Sequence, residues 1–183
     1  MTGLRTRHML WIALSVAVVA AGLVGVLASR GPATASPGPC ALCGTTAPPI
    51  TGSSIDGVSM SPSGLGGRFV VVSFFASWCG PCRQEEPQLE SFAREHQPRG
   101  DATVLGVVFN DDPANVASQL TANRASWPAV ADPGGRIALD YGVANPAETY
   151  LVAPDGLVVA KFFGPVRESQ LDQAMVSARA ERA

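Results

Sequence analysis

Trp78-Cys79-Gly80-Pro81-Cys82, read with its two flanks, decides the fold of this chain. The run Val70-Val71-Val72-Ser73-Phe74-Phe75 just upstream is β-branched and aromatic and reads as a buried strand. The polar segment from Arg83 to Gln97 favours a helix. A strand-to-helix junction here puts Cys79 at a helix N-terminus, where free backbone N–H groups and the dipole favour a thiolate. A thiolate attacks disulfides, so the motif points to thiol–disulfide exchange.

Outward from this motif the chain alternates strand and helix patterns. Ile50 to Gly67 suggests one or two short strands around an Asp56-Gly57 turn. The helix from about Cys79 to Gln97 holds Pro87, which removes a backbone donor and predicts a kink. Thr103–Phe109 reads as a buried strand, and Asp111-Asp112-Pro113 as the start of a helix running to about Arg124. Ala129–Ala131 is a short strand, and Arg136–Tyr141 a helical turn or two. Glu148–Val152 and Leu157–Phe163 form a hairpin across Pro154-Asp155-Gly156. Glu168 to Arg182 closes the chain as an amphipathic helix, with Leu171, Met175 and Ala178 on one face. The order predicts an α/β sandwich. Its sheet is mixed, because the hairpin is antiparallel while the first two strands need a crossover.

The first 30 residues are different. Met9 to Ala28 carries no charge, and about 20 residues span a bilayer core of about 30 Å. Arg5, Arg7 and His8 precede it, so the positive-inside rule keeps the N-terminus cytoplasmic and sends the rest outside. The competing reading is a cleaved signal peptide, with Ala33-Thr34-Ala35 resembling a cleavage site. The expected organisation is a signal-anchor over 1–30, a Pro/Gly/Ala-rich linker over 31–49 and a folded domain over 50–183. The domain is then held at the cell membrane by residues 9–28, or secreted after cleavage near Ala35. The net charge of −2 leaves no basic footprint for nucleic acid.

The 4 cysteines form two pairs, Cys40/Cys43 and Cys79/Cys82, and an extracytoplasmic compartment permits disulfides. A structural bridge usually ties distant segments, whereas Cys79/Cys82 closes a tiny loop. A zinc site would need all four thiols, at a spacing beyond the usual zinc-ribbon range. Cys40 and Cys43, in the linker, read as a passive bridge, a second redox pair feeding Cys79/Cys82, or a transient metal site. Haem attachment would need a histidine where Gly44 stands. No cofactor or metal is expected.

The string from Phe74 to Cys82, continued by Arg83-Gln84-Glu85-Glu86-Pro87, resembles the thioredoxin superfamily. It is most similar to the membrane-anchored extracytoplasmic branch of TlpA, ResA and CcmG/DsbE type. Gly106-Val107-Val108, Tyr141-Gly142-Val143, Glu148-Thr149-Tyr150-Leu151-Val152 and Pro154-Asp155-Gly156 extend the resemblance over roughly Pro48 to Ala178. It implies a thioredoxin-like fold, with a central mixed β-sheet flanked by helices. Cys79 would be the exposed attacking thiol, Cys82 the buried resolving thiol, and Trp78 a cover over the site. Glu85, one helical turn beyond Cys82, would exchange a proton with it, while Glu86 and Glu90 read as solvated helix charges. Cytoplasmic thioredoxins carry a buried aspartate where this chain has Ser73, which shifts the acid–base role toward Glu85. The superfamily's cis-proline normally directly precedes Glu-Thr. Here Asn145-Pro146-Ala147-Glu148-Thr149 places proline one residue early, and Pro146 is expected to be the cis residue.

The activity implied is that of an oxidoreductase reducing protein disulfides, apocytochrome c among them, with electrons from a membrane donor of the CcdA/DsbD type. General oxidative folding, or a non-enzymatic copper- or haem-handling chaperone, are the alternatives. A peroxidase of the peroxiredoxin type would need a Thr-x-x-Cys site, and Ala76 stands at the threonine position.

Overall fold

The structure is a computed structural model that describes residues 3–28, 35–55, 59–60 and 66–182. The chain divides into two units, Met1–Ala33 and Thr34–Ala183. The first holds α1 (Gly3–Ala28), whose described apolar side chains, such as Trp11, Leu14 and Val19, are exposed. Among the described residues no helix is long and apolar enough to cross a membrane. The membrane span over 9–28 therefore rests on the sequence. The cleavage-like residues 33–34 and the turn at 56–57 lie outside the described residues.

The second unit runs β1 (Ser36–Pro37), β2 (Gly52–Ser53), β3 (Ser59–Met60), β4 (Phe69–Phe75) and α2 (Gly80–His96). It continues with β5 (Ala102–Val108), α3 (Pro113–Ala122), β6 (Ala129–Ala131) and α4 (Arg136–Asp140). It ends with β7 (Glu148–Val152), β8 (Val158–Phe163) and α5 (Glu168–Ala180). Six strands form one mixed sheet in the order β1-β8-β7-β4-β5-β6, and β2 and β3 pair separately. β4 is parallel to β5 and β7 antiparallel to β8, as the patterns predicted, and β4 is antiparallel to β7.

β4 is buried along its whole length and apolar at every position but Ser73, because both faces of the sheet are covered, which removes the usual alternation. Phe69, Val71 and Phe75 join one core with Leu89 and Phe92 of α2 and Leu171 and Met175 of α5. Val70, Val72 and Phe74 join the other, with Ile137 of α4, Tyr141 and Tyr150. Burying each such aliphatic or aromatic side chain contributes about 1.5–3 kcal/mol. α2 buries a helical stripe of Cys82, Glu85, Glu86, Leu89, Phe92, Ala93 and His96. Pro87 falls on its exposed side, where a lost backbone bond is cheapest.

The stretch over 35–49, read as a linker from its composition, lies along the sheet instead. Ser36 and Pro37 pair with Phe163 and Phe162. Gly44 N–H then donates to Val158 O, Val158 N–H to Thr45 O, and Ala47 N–H to Gly156 O, each at 2.9 Å. β8 would otherwise be an uncovered edge strand, and a Pro/Gly-rich segment can cover it without needing side-chain periodicity.

Gly106 is where the sheet tolerates no side chain. A Cβ there would lie 2.5 Å from the Phe75 ring and 2.7 Å from the Trp127 ring, which pack edge to face at 5.3 Å. Gly106→Ala should therefore cost about 1–3 kcal/mol in urea denaturation. Unchanged stability would show that the two rings can separate freely.

Candidate active site

β4 ends at Phe75, and after three intervening residues Cys79 takes the N-cap of α2 with extended φ −81° and ψ 111°. Gly80 and Pro81 fill the first helical positions, where proline's missing N–H costs nothing. Cys82 N–H donates to Cys79 Sγ at 3.1 Å. That bond, with the helix N-terminus, stabilises negative charge on the sulfur. The two cysteines are joined in a disulfide, with Cα atoms 5.3 Å apart.

Cys79 was expected to be exposed and Cys82 buried, but both residues are only 4 % exposed. Ala76 and Ala147 belong to the same buried cluster as Cys79 and Cys82. Trp78 is 54 % exposed, so it stands beside the disulfide rather than in the core. Its indole N–H donates to Asn110 O at 3.3 Å.

The loop before Cys79 is held from outside. Asp111 accepts Ser77 N–H at 2.6 Å and Asp112 N–H at 2.7 Å. Arg83 donates to Ser77 O at 2.8 Å. Partial burial works against the Asp111 charge. Hydrogen bonds from Ser77, Asp112 and Asn115 outweigh it and hold the carboxyl below its ordinary range. The sequence reading gave Asp111 only to a helix start. Asp112 makes that cap, accepting Ala114 N–H at 2.9 Å, which frees Asp111 for the motif loop.

Glu85 stands where the resemblance placed it, one turn past Cys82. It is 1 % exposed, and Thr149 donates to its Oε1 at 2.7 Å. Thr149 is register partner to Ser73 on β4, so the carboxyl points from the helix onto the strand position that lacks an acid. Burial pushes the carboxyl up to about 8, against the opposing pull of the Thr149 and Ser73 hydroxyls. Glu85 Oε2 and Ser73 Oγ have no well-formed hydrogen bond among the described residues.

Glu86 and Glu90 are not solvated charges. Glu86 is buried and accepts Gln119 at 2.8 Å and Asn123 at 3.0 Å. Glu90 accepts the backbone N–H and hydroxyl of Ser126 at 2.8 and 3.1 Å. Both tie α2 to the α3 region. The spacing of 82, 86 and 89 was the available signal, since it falls on the buried stripe.

No described peptide bond is cis, so Pro146 is not the cis residue expected. A trans X–Pro bond is the lower-energy default, and Ala147, at φ 63°, makes the turn beside the disulfide instead. Ala147 N–H donates to Phe74 O at 2.9 Å, and its own carbonyl accepts Gly164 N–H at 2.8 Å. Glu148 steadies the loop: Oε1 accepts Ala144 and Asn145 N–H at 3.3 and 3.4 Å, and Oε2 meets Lys161 at 2.7 Å.

The second cysteine pair does not join this site. Cys40 and Cys43 form their own disulfide, and Cys40 packs against the core that contains Tyr150 and Val158. Cys79 and Cys82 belong to the core on the other face of the sheet.

A strand-to-helix CxxC over a buried carboxyl, on this sheet order, defines a thioredoxin-like protein. Residues 43–161 match the AhpC/TSA family, to which the chain belongs. It is similar to the thiol:disulfide interchange protein CycY of Rhizobium leguminosarum bv. viciae, 31% identical over 121 residues, covering 66% of this chain and 63% of that one. A thiol:disulfide interchange protein DsbE homolog of Paracoccus denitrificans is 34% identical over 134 residues, covering 71% and 72%. Among solved structures, a thiol:disulfide interchange protein of the thioredoxin family from Chlorobium tepidum TLS superposes with a TM-score of 0.65 at 25% identity, covering 80% and 99%.

Glu85 also sets a pH dependence. Between its ordinary value of 4.5 and about 8, the unfolded chain has lost a proton that the folded chain keeps. The stabilisation is complete below 4.5 and is lost as pH rises to 8, at up to about 1.4 kcal/mol per unit. Glu85→Gln should flatten that slope in urea denaturation and exceed the parent at pH 8 by up to about 4 kcal/mol. Parallel pH profiles would mean the carboxyl is already ionised in the fold.

Proposed function

We propose that this chain is an extracytoplasmic thiol–disulfide oxidoreductase that reduces protein disulfides through Cys79 and Cys82. The observation that carries the reading is the Cys79–Cys82 bridge on the first turn of α2, with the buried Glu85 carboxyl one turn further on. In the reduced protein the Cys79 thiolate attacks one sulfur of a partner disulfide, and the other sulfur leaves as a thiolate. Cys82 then loses its proton to the Glu85 carboxylate and attacks Cys79 Sγ, expelling the partner as a dithiol. Two electrons pass to the partner. When a donor reopens the bridge, the protonated Glu85 returns its proton to Cys82.

The names of the relatives support disulfide exchange, and the resemblance to the CcmG/DsbE branch supports apocytochrome c as substrate. The apolar run 9–28 behind Arg5 and Arg7 supports a membrane anchor that keeps the domain outside the cytoplasm. There the pair needs a membrane dithiol donor of the CcdA/DsbD type to stay reduced. Use of the same dithiol as an oxidant differs only in potential.

The potential decides between them. With Cys40 and Cys43 replaced by serine, Cys79/Cys82 should equilibrate near the thioredoxin level of about −270 mV. A value near the about −120 mV of a strong oxidant would overturn the reductase reading. Cys82→Ser should accumulate a mixed disulfide between Cys79 and oxidised apocytochrome c, visible on non-reducing gels. Absence of that adduct, with other protein disulfides still trapped, would remove this substrate.

A further inference from the structure

Cys40 and Cys43 are left unused by this mechanism. Exchange requires sulfur atoms in contact, and the two pairs lie against opposite faces of the sheet. Direct transfer within one molecule is therefore not set up in the folded domain.

The pair nevertheless has the attributes of an exchange site. Cys43 is exposed while Cys40 is half-buried, so one sulfur is open to attack and the other is sheltered. The bridge is also redundant for holding its turn. Cys43 N–H donates to Cys40 O at 3.3 Å, and Thr45 N–H and hydroxyl both donate to Leu42 O, at 2.9 and 2.7 Å. The two bonds between Val158 and residues 44–45 pin the turn to β8. Opening the disulfide leaves these bonds in place, so the oxidised and reduced forms can share one backbone.

The bridge also opens onto a groove of about 410 Å³ at the sheet's edge. One wall is β8 at Val159–Lys161, and the other is α5 at Gln170, Gln173 and Ser177. The chain's own residues take the main chain of β8 here, Gly38 N–H at Lys161 O (3.5 Å) and residues 44–45 at Val158, so an occupant of the groove meets side chains rather than a free strand edge. A groove walled by the polar side chains of α5 beside a disulfide suits a cysteine-bearing protein segment, whose flanking residues seat between β8 and α5 while its sulfur meets the bridge.

We propose that Cys40–Cys43 is a second thiol–disulfide exchange site, separate from Cys79/Cys82, that accepts electrons from a protein dithiol docked in the groove between β8 and α5. The partner thiolate attacks Cys43 Sγ, forming a mixed disulfide and releasing Cys40 as a thiolate. The partner's second thiolate then attacks its own bridged sulfur and frees Cys43. The partner leaves as a disulfide, and Cys40 and Cys43 become a dithiol after taking up two protons.

The full chain with Cys79→Ser and Cys82→Ser isolates this pair, so the outcome does not depend on the function proposed above. Oxidised, it is mixed with reduced thioredoxin or with glutathione at equal thiol concentration, and free thiols are counted by alkylation and mass. Thioredoxin should open the bridge, and Gln173→Trp, an exposed position that fills the groove, should slow this by about tenfold while leaving glutathione unchanged. Ser177→Trp is the second groove variant should the first fail to fold. A bridge resistant to thioredoxin, or groove variants that affect both thiols alike or neither, would overturn the proposal. In the same background the intact Cys40–Cys43 bridge should trap thioredoxin lacking its resolving cysteine as a mixed disulfide on Cys43 rather than on Cys40, with the attachment point mapped by digestion and mass. Equal trapping on both would also count against it.

Discussion

β4 is bounded on every side. β5 and β7 occupy its two edges along nearly its whole length, and a separate core covers each face. Such a strand cannot slip by one residue without turning Phe74 and Phe75 onto the wrong faces. The position of its last residue is therefore fixed by seven residues of pairing, and the chain must turn into α2 at that end. Cys79 inherits its place from this constraint. So does Glu85, which reaches Thr149 because β7 is in register with β4.

The parts of the fold carried by local chemistry were legible in the sequence. The buried strands, the Pro154-Asp155-Gly156 hairpin and the Asp112-Pro113 helix start all follow from residues that act on their own neighbours. The misreadings share a different cause. Glu86 and Glu90 looked solvated because acids usually are, yet their partners Gln119, Asn123 and Ser126 come from a segment more than 30 residues away. Residues 35–49 looked like a linker because composition does not register pairing to a distant edge strand. Pro146 was judged by its type, whereas the turn is made by Ala147, whose N–H donates to Phe74 O and whose carbonyl accepts Gly164 N–H, with Glu148 accepting the N–H groups of Ala144 and Asn145 before it. Each depends on a contact that no local pattern encodes.

The far end of α2 shows the same dependence on distant groups. His96 is buried and places both ring nitrogens 3.0 Å from carboxylates, Asp101 after the helix and Asp172 on α5. Arg179 reaches Asp101 as well, at 3.1 Å. The helix is thus held at its N-terminus by the Asp111 network and at its C-terminus by this cluster, with its buried stripe between. The disulfide at one end is carried by an element fixed at both.

Ser73 and Glu85 are best understood together. Beneath α2 one buried carboxyl accepts a hydroxyl from β7 and is faced by a hydroxyl from β4. A second acid at position 73 would put two carboxyls in a dry site, where one must stay protonated at high cost to the other. Moving the acid from the strand to the helix changes which cysteine it serves. From position 85 it lies in the same buried stripe as Cys82, one turn away, and on the far side of Cys82 from the helix N-terminus. In the exchange proposed for this site, the helix end and the Cys82 N–H act on Cys79 while Glu85 acts on Cys82, so the two sulfurs answer to separate groups.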